Sequence, residues 1–425
     1  MIDFLSSYMR SRIGRIGALL SVLNYSQAVI GLLISFYLAR VLGAEKFGVL
    51  SYGIVVGTFV YTAVNFGAER TLVRDLVQRE DKAAILTSSL ALRGGLGLLA
   101  LAGMLVILLL RGPAGEKLVV TSLCTAAALF WALFPVAWFD ARYQMHRQAM
   151  VTLGEKAVYG ALIFWALIGR GERDVVLVAF FLLATRATSF AVQMVLAGRS
   201  FRPDRDDVRA VARNARWLLR GNALIVLAAL ANLLISHWNQ LVLDVQLSSE
   251  RLGYYALAFQ MIAVVMLLQN QMLRIFFPRI AALTARDADP VLAYSRLRRF
   301  AAIAGGMSLL VVVPLYFAAP FIIDVLFTAE YKATLAPLRI LCLWVVINGV
   351  ARIVNAFLIN LRLDKAFFWC ALLAGGVAVV LGQILIPRFG ESGVALALLI
   401  SHPVSAVAQW AFVRRELGCR LAVAA

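Results

Sequence analysis

Long apolar runs are the feature that most limits how this chain can fold. About twelve of them, each about 20 residues long or more, take up most of the 425 residues, and 62% of the chain is hydrophobic. A helix needs about 20 apolar residues to cross the hydrocarbon core of a bilayer. The runs lie at about 16–39, 48–68, 86–110, 118–138, 150–168, 175–197, 218–243, 254–277, 301–326, 338–360, 366–386 and 391–413. They are too long and continuous for barrel strands, so the sequence predicts an all-α polytopic membrane protein with about 12 transmembrane helices.

The net charge of +18 is explained by membrane topology better than by nucleic-acid binding. If the N-terminus is cytoplasmic, the segments on that side hold 26 Lys and Arg residues and the opposite loops hold nine. Cytoplasmic loops of membrane proteins carry such an excess of basic residues. We therefore predict that both termini are cytoplasmic, that the number of spans is even and that no nucleic acid is bound.

The chain divides near its middle, where the longest basic segment follows the sixth run. We predict a six-helix lobe at 1–200, a basic cytoplasmic linker at 201–217 and a second six-helix lobe at 218–425. Two short matches support an internal repeat: Leu32–Ser35 with Leu233–Ser236, and Glu45–Gly48 with Glu250–Gly253. Both copies begin on the cytoplasmic side, which predicts a parallel repeat related by an axis along the membrane normal.

Polar residues at helical spacing mark one face of several runs. Asn24 and Gln27 lie in the first run, Arg93 in the third and Arg186 in the sixth, followed by Ser189 and Gln193. The tenth run carries Asn348, Arg352 and Asn355. Single amides in membrane bundles commonly hydrogen-bond neighbouring helices. A stripe that contains a deep arginine favours a water-filled cavity instead, because a cation at that depth is costly in lipid.

The charges at depth are positive. Arg186 lies about eleven residues from each end of its run, roughly 16 Å, which is too far for its side chain to reach the interface. Arg352 and Arg93 lie somewhat less deep. Asp140 and Glu155 are expected near the cytoplasmic ends of their runs, which leaves no carboxylate at mid-membrane. Because arginine binds phosphate oxygens through two parallel hydrogen bonds, this pattern favours an anionic cargo, with structural pairing of Arg186 as the alternative.

Signs of an enzyme are lacking. The sequence has no GxSxG, HExxH, P-loop or DxD-type motif, and its four cysteines and three histidines have no metal-ligand spacing. We therefore predict no catalytic activity, no metal and no cofactor.

Three segments resemble a known family. The run Tyr37–Gly48 resembles the first-loop signature of Wzx-type polysaccharide flippases, which belong to the multidrug/oligosaccharidyl-lipid/polysaccharide (MOP) exporter superfamily. Pro135–Phe139 followed by Met145 is similar to the end of the family's fourth span. Phe327–Tyr331 followed by Leu338–Leu341 resembles its junction between the ninth and tenth spans.

The resemblance implies twelve helices in two lobes around a central cavity, with alternating access, in the bacterial inner membrane. The implied cargo is an oligosaccharide on undecaprenyl diphosphate, which moves from the cytoplasmic to the periplasmic leaflet. The implied partners are this cargo, membrane lipids, and the polysaccharide polymerase and other assembly proteins. The predicted cavity residues are Arg186, Arg352, Arg93, Asn24, Gln27, Asn348 and Asn355, and Gly43 and Gly253 are predicted to mark gates.

Three rival interpretations remain at the level of sequence, and one of them, a non-transporting scaffold that recruits glycosyltransferases to the membrane, would leave the polar stripes unexplained. A drug/ion antiporter of the same superfamily would share the architecture, but the expected lack of a deep carboxylate argues against it. A membrane enzyme of polysaccharide assembly, a polymerase or ligase, is expected to carry a large outside loop, and the longest outside loops here have only about a dozen residues.

Overall fold

The computed structural model describes residues 12–65, 82–111, 115–169, 173–198, 226–285 and 289–424, together with 72, 73, 76, 211, 214 and 223. Across these residues the chain is helical apart from short turns, and they contain no strand. Most of the predicted linker 201–217 lies outside the described residues, so the division into lobes at that point stays a prediction.

Twelve α-helices follow one another along the described chain. They are α1 Arg12–Asn65, α2 Lys82–Arg111, α3 Glu116–Ala132, α4 Val136–Ala141, α5 Met145–Phe164, α6 Val175–Gly198, α7 Val226–Gln246, α8 Ser249–Leu283, α9 Pro290–Leu326, α10 Leu335–Asn360, α11 Asp364–Phe389 and α12 Glu391–Ala424. A π-helical turn, Trp165–Gly169, extends α5, and a second, Leu234–Trp238, lies inside α7. A 3₁₀ turn, Ala329–Thr334, precedes α10.

Eleven helical segments among the described residues are long and apolar enough to cross a membrane. The first of them, Leu19–Asn65, has 47 residues and breaks at Gly43, where φ is 79° and ψ is 171°. As one straight helix it would be about 70 Å long, more than twice the thickness of the hydrocarbon core. Its two arms correspond to the first two predicted spans, and the prediction of an all-α polytopic membrane protein is confirmed.

Local sequence explains where several helices begin. Asp289 caps α9 by accepting a hydrogen bond from the Val291 amide at 2.8 Å, and Pro290 occupies the first turn, where its missing N–H costs nothing. Ser248 caps α8 in the same way through the Arg251 amide. Each capping side chain accepts a hydrogen bond from the first turn, so each helix starts at the residue directly after its cap.

By their internal contacts the residues form two compact units. Unit 1 comprises Met1–Val41 and Val56–Val226, and unit 2 comprises Leu42–Val55 and Leu227–Ala425. In unit 1, one buried cluster packs Leu72, Leu76 and Ile85 against Trp138 and Phe139. In unit 2, the largest described cluster joins α8, α9, α10 and α12 through side chains that include Phe300, Phe357 and Val413.

The segment after the break in α1 packs within unit 2 through glycines. A Cβ on Gly48 would lie 1.7 Å from the Ser249 carbonyl oxygen, and a Cβ on Gly253 would lie 2.0 Å from the Ala44 carbonyl oxygen. In the repeat seen in the sequence, Ala44 corresponds to Ser249 and Gly48 to Gly253. The contact is therefore reciprocal, as between two copies related by a two-fold axis, and it supports the internal repeat.

Glu330 holds the break itself. Its carboxylate accepts hydrogen bonds from the Ala44 amide at 3.3 Å and from the Thr328 hydroxyl at 2.9 Å. A Cβ on Gly43 would lie 3.3 Å from the same carboxylate, and the positive φ of Gly43 is one that other residues rarely adopt. The backbone conformation thus favours glycine here, and a Cβ would also require the Glu330 carboxylate to shift by a few tenths of an ångström.

We expect Gly48→Ala and Gly253→Ala each to lower thermal stability, because a methyl group would meet a backbone carbonyl that cannot rotate away. The cost of such overpacking is about 1–3 kcal/mol or more. Gly306→Ala on α9 is the matched control, since its Cβ would meet nothing within 4 Å. Thermal unfolding in detergent measures all three variants. Unchanged stability of Gly48→Ala and Gly253→Ala would mean that the two segments are not packed as described.

Candidate functional site

A carboxylate lies in the middle of a candidate membrane span of unit 1. Glu155 is ten residues after the start of the span Met145–Leu167 and twelve before its end, and its side chain is 3% exposed. The expectation that no acid lies at depth was therefore wrong. The span was predicted from residue 150, but α5 begins at Met145, because the polar residues His146, Arg147 and Gln148 form its first turn instead of a loop.

Arg186 pairs with this carboxylate. Its Nε lies 2.8 Å from Glu155 Oε1, and its guanidinium carbon lies 4.6 Å from the centroid of the Trp131 ring. Glu155 bonds one edge of the guanidinium group, and the Trp131 ring packs against one of its faces. Within the described part of the chain, the terminal nitrogens of Arg186 donate to no other group, and 17% of the side chain remains exposed. Arg186 is thus partly neutralised yet still has donors to offer.

A second cation, Lys156, lies beside the pair. Its ammonium group donates to the Gln27 carbonyl oxygen at 3.0 Å, and a Cβ on Gly31 would lie 3.1 Å from that ammonium group, so Gly31 leaves room for it. The Gln27 amide in turn donates to the Ala149 carbonyl oxygen at 2.7 Å. Sequence reasoning missed Lys156. The signal that could have found it was the glycine one turn beyond Gln27 on the polar face of the first span.

The rest of the predicted stripe on α6 also faces the interior of unit 1. Ser189 and Gln193 are buried, and Gln193 donates to the Ser189 hydroxyl at 3.4 Å. Two cations and one carboxylate leave this group, which we name the α5–α6 charge cluster (Glu155, Lys156 and Arg186), with a formal charge of +1. It combines fixed positive charge with hydroxyl and amide groups.

The other predicted residues of unit 1 have different places. Arg93 is buried and donates to the Ala132 carbonyl oxygen at 3.0 Å, where α3 ends just before Pro135. This bond satisfies a carbonyl that has no partner inside its own helix, which is a structural task. Asn24 is half-buried on α1, one turn before Gln27.

In unit 2 a network of amides connects three helices. Gln269 on α8 donates to the Ser308 hydroxyl of α9 at 2.9 Å and to the Val345 carbonyl oxygen of α10 at 2.7 Å. It also accepts from the Asn348 amide at 3.1 Å. A Cβ on Gly349 would lie 2.6 Å from the Ser308 hydroxyl, so this glycine lets the helices approach closely enough for the bonds to form. We name Gln269, Ser308 and Asn348 the amide network.

Arg352 follows Asn348 by one turn of α10. It donates to the Asn270 side-chain oxygen, next to Gln269, while its Nε is buried with no hydrogen-bond partner in the described residues. The same holds for His402 Nδ1 and Trp344 Nε1, whose rings are 5.4 Å apart at nearly right angles, and for Asn355 Oδ1. These unpartnered polar atoms along α10 and α12 provide donors and acceptors for water or for a polar ligand.

The described residues contain no group of three or more acidic, histidine or cysteine side chains that could hold a metal ion. The predicted gate residues both belong to unit 2, where Gly43 forms the break in α1 and Gly253 packs against Ala44.

Comparison with known proteins decides the family. A family model described as "Polysaccharide biosynthesis protein" matches residues 13–284, well over half of the chain. The chain belongs to this family. No curated protein sequence matches it.

Solved structures of other proteins share the fold of this polysaccharide biosynthesis protein. An inward-facing multidrug resistance MATE family transporter of the MOP superfamily matches with a TM-score of 0.74 and 15% identity, over 94% of this chain and 96% of that one. Lipid II flippase MurJ, in an inward closed conformation, matches with a TM-score of 0.75 and 13% identity, over 94% of this chain and 89% of that one. A MOP superfamily transporter from Pyrococcus furiosus matches with a TM-score of 0.66 and 14% identity, over 96% of this chain and 95% of that one. The resemblance to MOP-type proteins inferred from the sequence is confirmed, and the protein is a multi-pass membrane protein of that fold.

We expect Arg186→Gln to destabilise this family member, because it leaves the buried Glu155 carboxylate without its counter-ion. Breaking one side of a buried ion pair costs about 3–5 kcal/mol. The double variant Glu155→Gln/Arg186→Gln removes both charges and should regain most of that loss. A double-mutant cycle on thermal unfolding in detergent measures the coupling. Additive effects of the two single changes would show that the pair does not form.

Proposed function

We propose that this protein is a flippase that moves an oligosaccharide linked to undecaprenyl diphosphate from the cytoplasmic to the periplasmic leaflet of the bacterial inner membrane. The single observation that carries the proposal is the α5–α6 charge cluster, with two cations and one carboxylate at mid-span in unit 1. Membership in the polysaccharide biosynthesis protein family supports a cargo of this class.

The chemistry of the charge cluster suits a diphosphate. Arginine presents a planar fork that binds two phosphate oxygens at once, and lysine adds a compact positive charge with three donors. Arg186 keeps its terminal nitrogens unengaged, while Trp131 and Glu155 fix the plane of its guanidinium group. A diphosphate that approaches this edge would meet preoriented donors, and the polyprenyl chain would stay in the lipid.

Amide-rich surfaces suit the sugars. Hydroxyl groups of an oligosaccharide both donate and accept hydrogen bonds, as do Asn24, Gln27, Asn348 and Asn355. We propose that Asn24 and Gln27 in unit 1, and separately Asn348, Asn355 and Arg352 in unit 2, bind sugar hydroxyls during transport. Arg93, which donates to the Ala132 carbonyl oxygen, stays a proposed member of this set.

Alternating access requires a contact that opens on one side. We propose the reciprocal packing of Gly48 and Gly253, next to the break at Gly43, as the outer gate. The contact consists of backbone against backbone, and the Glu330 carboxylate reaches across to the Ala44 amide. Partners expected for this function are the polymerase and other assembly proteins that use the flipped cargo.

Glu155 also favours a second candidate function. Cation and drug antiporters need a carboxylate at depth, and the buried position of Glu155 provides one. In the antiporter interpretation Glu155 binds the transported cation or proton, and Arg186 is only its resting partner. The two candidates therefore assign the essential charge to opposite members of the same pair.

Neutralising each charge in turn distinguishes the two functions. We expect Glu155→Gln to retain glycan export, because Arg186 and Lys156 keep their positive charge. The double variant Glu155→Gln/Arg186→Gln should lose export at least tenfold while it still inserts in the membrane. Export is measured as surface polysaccharide, together with lipid-linked oligosaccharide on each face of the membrane. Arg274→Gln, which changes an exposed arginine in α8, is the control.

Three outcomes would contradict the flippase. Full export by a well-expressed double variant would remove the charge cluster from the mechanism. Loss of cation or drug efflux in Glu155→Gln, with export unchanged in both variants, would favour the antiporter. Deletion of the gene that leaves the oligosaccharide in the periplasm, but unpolymerised or unattached, would favour a membrane enzyme.

The gate has its own test. We expect a short thiol-reactive linker between Ala44→Cys and Glu330→Cys, in a Cys419→Ser background, to stop transport, because it ties the arm after Gly43 to the 3₁₀ turn before α10. Reduction of a cleavable linker should restore transport. If cross-linked protein transports normally, the contact at Gly43 does not open during the cycle. Each single cysteine variant treated with the same reagent controls for modification alone.

A further inference from the structure

A groove of about 600 Å³ runs along the outside of unit 2 between α10 and α12. Two adjacent rows of α12 line it, each with residues four apart: 406, 410 and 414 in one row, and 407, 411 and 415 in the other. Val350 and Val354 of α10 form the opposite wall. Residues four apart on a helix lie one above the other, so the groove follows the helix axis for roughly 14 Å.

The groove exists because small side chains lie beside a large fixed one. The short side chains of Ala406 and Ala411 leave open space at the bottom of the groove, and the Trp410 ring borders that space. The Trp410 indole nitrogen donates to the Tyr294 hydroxyl at 3.4 Å, and the two rings meet nearly at right angles, with 6.2 Å between their centroids. The tryptophan is therefore held in place. Val407, at 69% exposed, lies on the open side, where lipid chains would surround a membrane span.

One end of the groove is cationic. Arg414 and Arg415 are both exposed, and neither guanidinium group has a hydrogen bond or ion pair within the described part of the chain. No acidic residue lines the groove. Its lining therefore changes from apolar to doubly positive along its length, and the tryptophan lies one helical turn from the charges.

We propose that this groove is a binding site for one anionic glycerophospholipid of the surrounding bilayer. The acyl chain would lie against Val350, Val354 and Val407, and the phosphate would lie between the two guanidinium groups. Arginine binds phosphate through paired charged hydrogen bonds, and basic pockets between helices are where acidic lipid headgroups bind. Tryptophan at the boundary between apolar and charged groups suits the level of the headgroups.

Unit 2 contains matched controls for both parts of the site. A second groove, of about 580 Å³, lies on α11 and has only apolar lining from Trp369 to Leu381, with no cation. A second pair of adjacent exposed arginines, Arg298 and Arg299 on α9, lines neither of these two grooves. The first control has the shape of a lipid groove without the charge, and the second has the charge without the groove.

The test is retention of lipid by the full-length protein. The protein is placed in nanodiscs with equal amounts of phosphatidylglycerol and phosphatidylcholine, released into detergent, and analysed by native mass spectrometry. We expect one phosphatidylglycerol molecule to remain bound. Arg414→Gln/Arg415→Gln should reduce its retention about tenfold or more, whereas Arg298→Gln/Arg299→Gln should leave it unchanged.

Filling each groove tests the apolar part. Ala411→Phe should displace the bound lipid, whereas Gly376→Phe, which fills the groove on α11 where a Cβ meets nothing within 4 Å, should not. Equal loss of phosphatidylglycerol in the two arginine double variants would mean that the lipid is attracted to any basic surface, and it would overturn the proposal. So would equal retention of phosphatidylcholine, or a polyprenyl diphosphate in place of the phospholipid in protein from native membranes. Because the readout is lipid retention, the result is independent of whether the protein is a flippase.

Discussion

A bilayer core offers no water to polar groups, and this constraint explains most of what the polar side chains of this protein do. Each one at depth must find its partner within the protein or face a water-filled space. Gln269 meets the requirement with three bonds to two other helices, and one nitrogen of Arg93 meets it by donating to a carbonyl where α3 ends. Polar residues that satisfy one another hold the spans together, and those that keep unsatisfied atoms are the candidates for function.

The pair formed by Arg186 and Glu155 fits neither of these groups fully. An ion pair buried among apolar helices repays only part of the cost of removing both charges from water, so it is a weak source of stability. Its value is better seen in orientation: the carboxylate and the Trp131 face fix the guanidinium plane and leave its outer nitrogens available. With Lys156 nearby, the net charge of the α5–α6 charge cluster stays positive. A positive net charge favours phosphate binding, whereas a negative one would favour a cation.

The fold was largely predictable, and the candidate site only partly so. Apolar runs of membrane length determine the helices, because a span that is too short or broken by charge cannot cross. Each predicted run overlaps an observed helix, but α9 begins at Pro290, eleven residues before its run, because polar residues such as Arg296 and Arg298 belong to the helix. Glu155 was misplaced because the first turn of α5 is polar, and a search for apolar residues starts after it. The contacts of Lys156 with Gln27, and of Gly48 with Ser249, join residues about 130 and 200 positions apart. No local pattern encodes such pairings, although the repeat between Glu45–Gly48 and Glu250–Gly253 pointed to the second of them.

The two units have different polar interiors, although the reciprocal glycine contact supports a common repeat. Unit 1 concentrates charge, with two cations and a carboxylate, and the buried Ser189 and Gln193 follow Arg186 on the same helix. Unit 2 has the neutral amide network, with Arg352 and His402 beside it. For the function proposed above, the charged groups of unit 1 suit phosphate oxygens, because arginine and lysine donate charged hydrogen bonds to them. The amides of unit 2 suit sugar hydroxyls, which both donate and accept hydrogen bonds.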